Sequence, residues 1–239
     1  MKSIAPVHKV KGYGTGNVYI IEAEELVLVD TGIPRDSRLV CDSVRRLGRS
    51  PDDVAHILLT HFHVDHAGGA AALRDATGAT VYAQRDDAAF IQGDERIQSI
   101  YKLGVIGRAA SLAPVTAERL TDVPHVKVDR PLADGEVIPV LGGIQVIHSP
   151  GHTPGSACFF WPDRGILFTG DTIINTYHFL TLPTIGFSCD FDRAADSADH
   201  VAGLFANEKV SLLCPGHGPF VSDNAGERLR RFRRRLARR

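Results

Sequence analysis

Four side chains able to bind a metal ion lie within one short segment, which reads T-H-F-H-V-D-H-A-G-G over residues 60–69. The His and Asp residues in it are His61, His63, Asp65 and His66. Imidazole and carboxylate are ligands that borderline cations such as Zn²⁺ prefer, and four of them so close can hardly satisfy one another without a cation. The segment therefore predicts a metal site.

The spacing within this segment indicates two neighbouring metal positions. Residues 54–60 have the pattern of a buried strand and residues 67–76 that of a helix, so the motif lies on a strand-to-helix turn. Alternate residues of an extended stretch share a face, which directs His61 and His63 to the same side. The aspartate and the last histidine fall where the chain begins to coil, and must point elsewhere. We expect one metal on each pair.

Further ligand candidates follow three apolar segments downstream. Each predicted strand, at 144–147, 166–168 and 210–214, leads into a glycine-containing turn with one ligand-capable residue. These residues are His152, Asp171 and His217. Glycine in such turns lets the backbone approach a metal centre closely. Together with the first motif, they predict a larger ligand set drawn from several strand ends.

The combined pattern resembles the metallo-β-lactamase fold superfamily. The likeness runs from N-V-Y-I-I and V-D-T-G, within residues 17–32, through T-H-x-H-x-D-H-x-G-G and F-T-G-D-T to His217. It implies an α+β fold, a four-layer αββα sandwich in which two mixed β-sheets pack face to face with helices outside. It also places the functional site at one edge of the sandwich.

The resemblance further implies how the ligands are divided between two divalent metal ions. The first ion would be held by His61, His63 and His152, and the second by Asp65, His66 and His217. Asp171 would bridge the two ions, and Asp30 of the D-T-G turn would brace the histidine loop. Zinc is the metal expected, with manganese or iron as alternatives, because His and Asp suit all three.

A dinuclear metal site implies hydrolytic chemistry. A water shared by two cations loses its proton near neutral pH, whereas bulk water has a pKa of about 15.7. The resulting metal-bridging hydroxide would attack a carbonyl carbon, with Asp65 as the catalytic residue that orients it. The chain contains no G-x-S-x-G motif of the serine hydrolases. We therefore predict a metal-dependent hydrolase of ester-type acyl bonds, with a lactone or small carboxylic ester as substrate.

Other branches of the superfamily stay open. Glyoxalase II enzymes, which hydrolyse thioesters, share the two long motifs but add a C-terminal helical portion, and only about twenty residues follow His217 here. Quorum-quenching lactonases match in size and ligands, although Ile174 stands where their best known members have a tyrosine. The remaining alternatives are weak β-lactamase or phosphodiesterase activity, a mononuclear-iron persulfide dioxygenase, and a non-catalytic binding protein.

Two variable segments are expected to select the substrate. Residues 84–128 form a predicted helical insertion whose apolar residues show no single face, and which could be a lid, a homodimer contact or extra core. Residues 175–187 are aromatic and apolar, which favours a hydrophobic pocket. Tyr177 and His178 in this segment are candidate catalytic residues for stabilising an oxyanion or protonating a leaving group.

The composition is typical of one soluble enzyme domain. A chain of 239 residues, 44% hydrophobic, fits a single metallo-β-lactamase-like domain over residues 1–239 that acts on a small-molecule acyl substrate. No apolar run approaches a membrane span and no secretory signal is visible at Met1, so the expected location is the cytoplasm. Four scattered cysteines without C-x-x-C spacing indicate reduced, largely buried thiols.

The net charge of −1 conceals a basic tail. Residues 228–239 contain eight arginines, which leaves 19 basic against 28 acidic residues in the rest of the chain. Leu229, Phe232 and Leu236 recur at helical spacing, so residues 224–239 predict a basic C-terminal helix packed on the domain. A basic tail can bind nucleic acid or an anionic membrane, but the acidic body disfavours a nucleic-acid partner.

Overall fold

The computed structural model describes residues 2–4, 6–12, 16–95, 123–177, 179–206 and 210–238. The chain divides into two compact units, Met1–Pro131 and Leu132–Arg239. The single domain expected over the whole chain stays a prediction. Residues 96–122, the larger part of the predicted insertion, lie outside the described residues.

The first unit is built on a mixed sheet whose strands follow one another in chain order. The strands described are β1 (Lys2–Ile4), β2 (Val7–Val10), β3 (Val18–Ile21), β4 (Leu26–Val29), β5 (Val54–Leu59), β6 (Thr80–Gln84) and β7 (Arg130–Leu132). Neighbours from β1 to β4 are antiparallel, whereas β4, β5 and β6 are parallel. Every residue of β4 is buried, as expected for an apolar strand in the middle of a sheet.

Four helices follow the parallel strands of this sheet. They are α1 (Asp36–Arg46), α2 (Val64–Ala67), α3 (Ala70–Thr77) and α4 (Arg85–Gln92). Helix α3 packs on β5 and β6, and α4 packs on β6. Because β4 and β5 are parallel, Asp30 after β4 and His61 after β5 leave the sheet at the same edge.

The helix predicted over residues 67–76 differs from the observed structure in both its start and its continuity. It begins earlier, at Val64, and is interrupted between α2 and α3 by Gly68 and Gly69. The amide of Gly69 donates to the carbonyl oxygen of Gly32, 3.0 Å away, instead of continuing the helical pattern. A side chain at Gly69 would collide with the carbonyl oxygen of Thr31, so this close passage of the backbone requires glycine.

The second unit contains a second mixed sheet and a small hairpin. The sheet has the strand order β14, β11, β10, β9, β8, and the hairpin pairs β12 with β13. Their bounds are β8 (Val137–Ile138), β9 (Ile144–His148), β10 (Ala157–Trp161), β11 (Ile166–Gly170), β12 (Ile174–Thr176), β13 (Phe179–Thr181) and β14 (Leu212–Pro215). Only the β11–β14 pair is parallel among the strand pairs described for this sheet.

Two helices cover the core of the second unit, α5 (Phe191–Leu204) and α6 (Ala225–Leu236). Helix α6 lies in the segment for which the sequence predicts a basic C-terminal helix. Its Leu229 and Phe232 are buried in the same apolar cluster as Leu167, Val201 and Leu213, and Leu236 packs against that cluster. The apolar stripe therefore anchors α6, and its charged faces are left at the surface.

The thiols agree with the reduced, largely buried cysteines predicted. Cys41, Cys158 and Cys214 are buried and Cys189 is partly exposed, and none of these four described cysteines forms a disulfide bond. Among the helices described, none has the length and apolar composition needed to cross a membrane.

Candidate metal centre

The turn after β5 brings the rings of His61 and His63 together in an edge-to-face arrangement. Nε2 of His61 lies 3.1 Å from Nδ1 of His63. The relative exposures of these residues are only 1% and 6%. The two rings share one side of an extended stretch, as the alternation of side chains predicts. Two imidazole nitrogens at this separation could bind a common cation.

The second pair of the motif lies in the single turn of α2. Nε2 of His66 is 3.9 Å from an oxygen of Asp65. The ring centroids of His66 and His61 are 4.1 Å apart, and the ring planes are tilted by 41°. All four side chains of the motif therefore form one cluster within the first unit.

Asp30 fixes the orientation of this cluster through hydrogen bonds to His66 and Thr60. Its Oδ2 accepts a hydrogen bond from Nδ1 of His66 at 2.8 Å, and its Oδ1 accepts one from the amide of Thr60 at 2.8 Å. The hydroxyl of Thr60 also bonds Asp30, at 2.9 Å, and lies 3.0 Å from Nδ1 of His61. With both Nδ1 atoms engaged, Nε2 of each histidine carries the lone pair that a metal needs.

The backbone around the cluster is held closely as well. The amide and the hydroxyl of Thr31 both donate to the carbonyl oxygen of His66, at 2.7 and 2.6 Å. Gly16 leaves no room for a side chain, because a Cβ there would collide with the carbonyl oxygen of Asp65 and lie 3.2 Å from Nε2 of His66. These contacts limit movement of α2.

Asp87 is a positioning residue that the sequence analysis missed. It is fully buried on α4, and its carboxylate accepts a hydrogen bond from the amide of Phe62, 3.0 Å away. Phe62 stands between His61 and His63 in the sequence, so this bond holds the turn that carries both histidines in place. The available signal was an acidic residue in the first turn of a short helix, on the same face as apolar residues, which does not by itself identify a partner.

In the second unit, Asp171 lies between two histidines. Its Oδ2 is 3.3 Å from Nε2 of His152 and 3.1 Å from Nε2 of His217. Asp171 follows β11 and His217 follows β14, and these strands are parallel, so both residues emerge at one edge of the sheet. Gly216 permits this approach, since a Cβ at that position would collide with the carboxylate of Asp171.

Two residues absent from the sequence predictions support these histidines. The hydroxyl of Ser188 donates to the carbonyl oxygen of Thr184 and lies 3.2 Å from Nδ1 of His152, which turns Nε2 of that ring towards Asp171. The backbone amide of Asn175 donates to the carbonyl oxygen of His217 at 3.0 Å, and its side-chain Nδ2 donates to the carbonyl oxygen of Pro219 at 2.9 Å. Neither residue belongs to a recognisable motif.

The donor set in each unit suits divalent metal. Ligand atoms about 2.0–2.2 Å from a tetrahedral zinc ion stand about 3.2–3.6 Å apart. The separations of 3.1 Å in the first unit and of 3.3 and 3.1 Å in the second are close to this spacing. Each of the seven predicted ligands is among the described His and Asp side chains that could take part in holding a metal ion.

The two candidate catalytic residues of the apolar segment have different outcomes. Tyr177 occupies the turn between β12 and β13, in the left-handed region with φ of 49°, and is 88% exposed. His178 lies outside the described residues. Phe179, Ile185 and Phe187 of the same segment are also exposed. The catalytic role of Tyr177 stays a prediction.

The structure combines two mixed sheets with loops rich in His and Asp at the strand ends. This combination points to the class of metal-dependent hydrolases. The sequence matches the metallo-β-lactamase superfamily over residues 12–217, and the chain belongs to that superfamily.

The relatives include proteins named as hydrolases and one that is uncharacterized. The chain is 27% identical to the probable metallo-hydrolase YflN of Bacillus subtilis, over 92% of this chain and 88% of YflN. It is 30% identical to the uncharacterized protein YobT of the same bacterium, over 90% of this chain and 87% of YobT. It is also 28% identical to a hydroxyacylglutathione hydrolase of Cereibacter sphaeroides, over 72% of this chain but only 51% of that enzyme.

Solved structures agree on the fold. A metallo-β-lactamase family protein of Thermus thermophilus matches with a TM-score of 0.71 and 23% identity, over 98% of this chain and 80% of that protein. The subclass B3 metallo-β-lactamase BJP-1 of Bradyrhizobium japonicum matches with a TM-score of 0.64 and 25% identity, over 91% and 76% of the two chains. The predicted α+β metallo-β-lactamase fold is confirmed, and membership of a metallo-hydrolase superfamily supports a hydrolase that binds divalent metal.

Proposed function

We propose that this protein is a dinuclear metal-dependent hydrolase that cleaves an ester-type acyl bond, with lactones or small carboxylic esters as substrates. The observation that carries the proposal is the orientation of the histidines. In three of them, Nδ1 is engaged by a neighbouring oxygen, so that Nε2 faces other potential ligands; these are His61, His66 and His152. Outer hydrogen bonds of this kind are typical of histidines that bind metal.

The proposed ligand sets follow the division that the resemblance to the superfamily implies. The first divalent ion would be held by His61, His63 and His152, and the second by Asp65, His66 and His217. Asp171 would serve both ions, which suits a carboxylate oxygen that lies close to two histidine nitrogens. Membership of one superfamily over residues 12–217 supports this combination, because the match includes every proposed ligand. Zinc is the ion we propose.

The metals would supply an acidified water and polarise the carbonyl of the substrate. The chain would supply the geometry. Asp65 is 15% exposed at its side chain, in contrast to the fully buried His66 beside it, so its carboxylate could accept a hydrogen bond from a reacting water. Asp30 and Thr60 keep two imidazoles in the ligating orientation throughout.

A pH-stat assay tests the proposal directly. Zinc-loaded protein given a medium-chain acyl homoserine lactone should release acid, and Asp171→Ala should reduce the rate by about a thousandfold. The exposed Asp223 provides the matched control, since Asp223→Ala removes a carboxylate of the same unit without touching the cluster. Zinc content measured on the same samples should fall for Asp171→Ala only. Full turnover by a folded Asp171→Ala protein would overturn the proposal.

Thioesters are the second candidate substrate. Two relatives favour them by name, the hydroxyacylglutathione hydrolase and an atrochrysone carboxyl ACP thioesterase of Aspergillus fumigatus. The latter is 28% identical over 66% of this chain and 29% of that protein. Hydrolysis rates for thioesters and lactones of matched acyl-chain length separate the two candidates. Cleavage of the thioester is measured by the release of free thiol. A larger kcat/KM for the thioester than for the lactone would make the thioesterase assignment the correct one.

A further inference from the structure

The β12–β13 hairpin projects aromatic side chains into solvent. Its inner face is anchored by Asn175 and Leu180, which are 2% and 3% exposed. Its outer residue Phe179 is 66% exposed, and Tyr177 at the tip is 88% exposed. Burying large apolar groups of this kind against another surface is favourable by a substantial free energy, so two of them at a protruding tip indicate contact with a partner.

One face of α6 carries a stripe of arginines. Residues three or four apart share a face of a helix, and this spacing connects Arg228, Arg231, Arg235 and Arg238. Within the stripe, Arg231 pairs with Glu227 at 2.9 Å. On the opposite flank, Arg233 pairs with Asp199 of α5 and Arg230 donates to the carbonyl oxygen of Ala206.

The arginine stripe and the hairpin are in direct contact. Helix α6 packs against β13. A guanidinium nitrogen of Arg235 donates to the carbonyl oxygen of Leu180 at 2.6 Å. Leu180 directly follows the exposed Phe179, so the cationic stripe borders the aromatic tip. We call this combination the hairpin–arginine face; it consists of Tyr177, Phe179, Arg228, Arg231, Arg235 and Arg238.

We propose that the hairpin–arginine face docks on an anionic lipid surface. Aromatic side chains insert at the boundary between acyl chains and headgroups, and neighbouring arginines are attracted to anionic lipids. The aromatic side chains of the tip are exposed to solvent, whereas base stacking on a nucleic-acid-binding protein uses a groove or platform. The chemistry therefore favours a bilayer over a nucleic acid. This inference does not depend on the substrate proposed above.

Co-sedimentation of the full-length protein with vesicles tests the inference. We expect binding to vesicles that contain phosphatidylglycerol and none to vesicles of phosphatidylcholine alone, with loss of binding at high salt. Arg238→Gln should weaken binding about fivefold. Phe179→Ser should weaken it about tenfold.

Matched variants on the other flank provide the controls. Arg233→Gln makes the same charge change beside Asp199, and Leu204→Ser removes an apolar side chain of α5 that is 47% exposed. Both should bind vesicles nearly as the parent does. Equal or absent binding to both kinds of vesicle overturns the inference, as does an equal effect of the hairpin and control variants. Binding of a labelled single-stranded oligonucleotide in place of vesicles would make the face a nucleic-acid site.

Discussion

Oδ2 of Asp30 lies 2.8 Å from Nδ1 of His66, and both side chains are almost completely inaccessible to solvent. The same carboxylate accepts the amide of Thr60 at the end of β5. One buried aspartate after β4 therefore sets the orientation of a histidine on α2 and the path of the chain that leads to it. Asp30 adopts a positive φ of 59°, a conformation that Asp tolerates better than most residues.

Replacing Asp30 should weaken metal binding rather than abolish it. In Asp30→Asn the side-chain amide cannot accept from both His66 and Thr60 as the carboxylate does, so we expect metal affinity to fall about 10- to 100-fold. Competition with a chromophoric chelator measures the affinity. Asp52→Asn, at an exposed position of the same unit, should leave it unchanged. An Asp30→Asn protein with parental zinc affinity would show that this bond has no role in ligation.

Ser188 should have a similar effect on the cluster of the second unit. Its hydroxyl is placed to accept from Nδ1 of His152, so Ser188→Ala frees the ring to rotate. We expect about a tenfold loss of metal affinity with little change in the free energy of unfolding. Ser37→Ala is the matched control, because the hydroxyl of Ser37 bonds only an exposed carbonyl of the first unit in the contacts described. Parental affinity in both variants would rule out the orienting role.

Asp87 should contribute to stability through the turn that carries the histidines. Asp87→Ala leaves the buried amide of Phe62 without its carboxylate acceptor, which should cost about 1–3 kcal/mol in the free energy of unfolding. The exposed neighbour Asp86 is the control, and Asp86→Ala should cost less than about 1 kcal/mol. Urea denaturation measures both values. Equal destabilisation by the two variants would contradict the proposed contact.

Burial of Cys158 should make stability fall at alkaline pH. Desolvation raises the pKa of this thiol from an ordinary 9.0 to about 11. Between these values the unfolded chain loses the thiol proton while the native chain keeps it, so unfolding becomes easier as pH rises. Below about pH 9 both states hold the proton and the thiol contributes no pH dependence.

The size of this effect can be isolated with Cys158→Ala. A shift of this size corresponds to about 2–3 kcal/mol of unfolding free energy lost between pH 9 and 11. Urea denaturation at a series of pH values should show that slope in the parent and a smaller one in Cys158→Ala. Parallel pH profiles for the two proteins would mean that the thiol ionises alike in both states.

Local sequence determined the family, the strands near the site and the candidate ligands. The apolar runs before His61, Asp171 and His217 correspond to β5, β11 and β14, because a short hydrophobic run is the sequence pattern of a buried strand. The ligand motifs were visible for a related reason. Metal binding needs particular residue types at fixed short spacings, and those are properties of the chain itself.

The tertiary structure decided which groups orient the ligands. Asp87 lies 25 residues from Phe62, and Ser188 lies 36 residues from His152. Any buried carboxylate or hydroxyl can serve as such a partner, so no residue type or spacing marks it in advance. The break between α2 and α3 has the same origin, because Gly69 bonds a carbonyl of the loop after β4 instead of its own helix. Contacts between segments distant in sequence depend on how strands are placed beside one another, and only the folded chain specifies that.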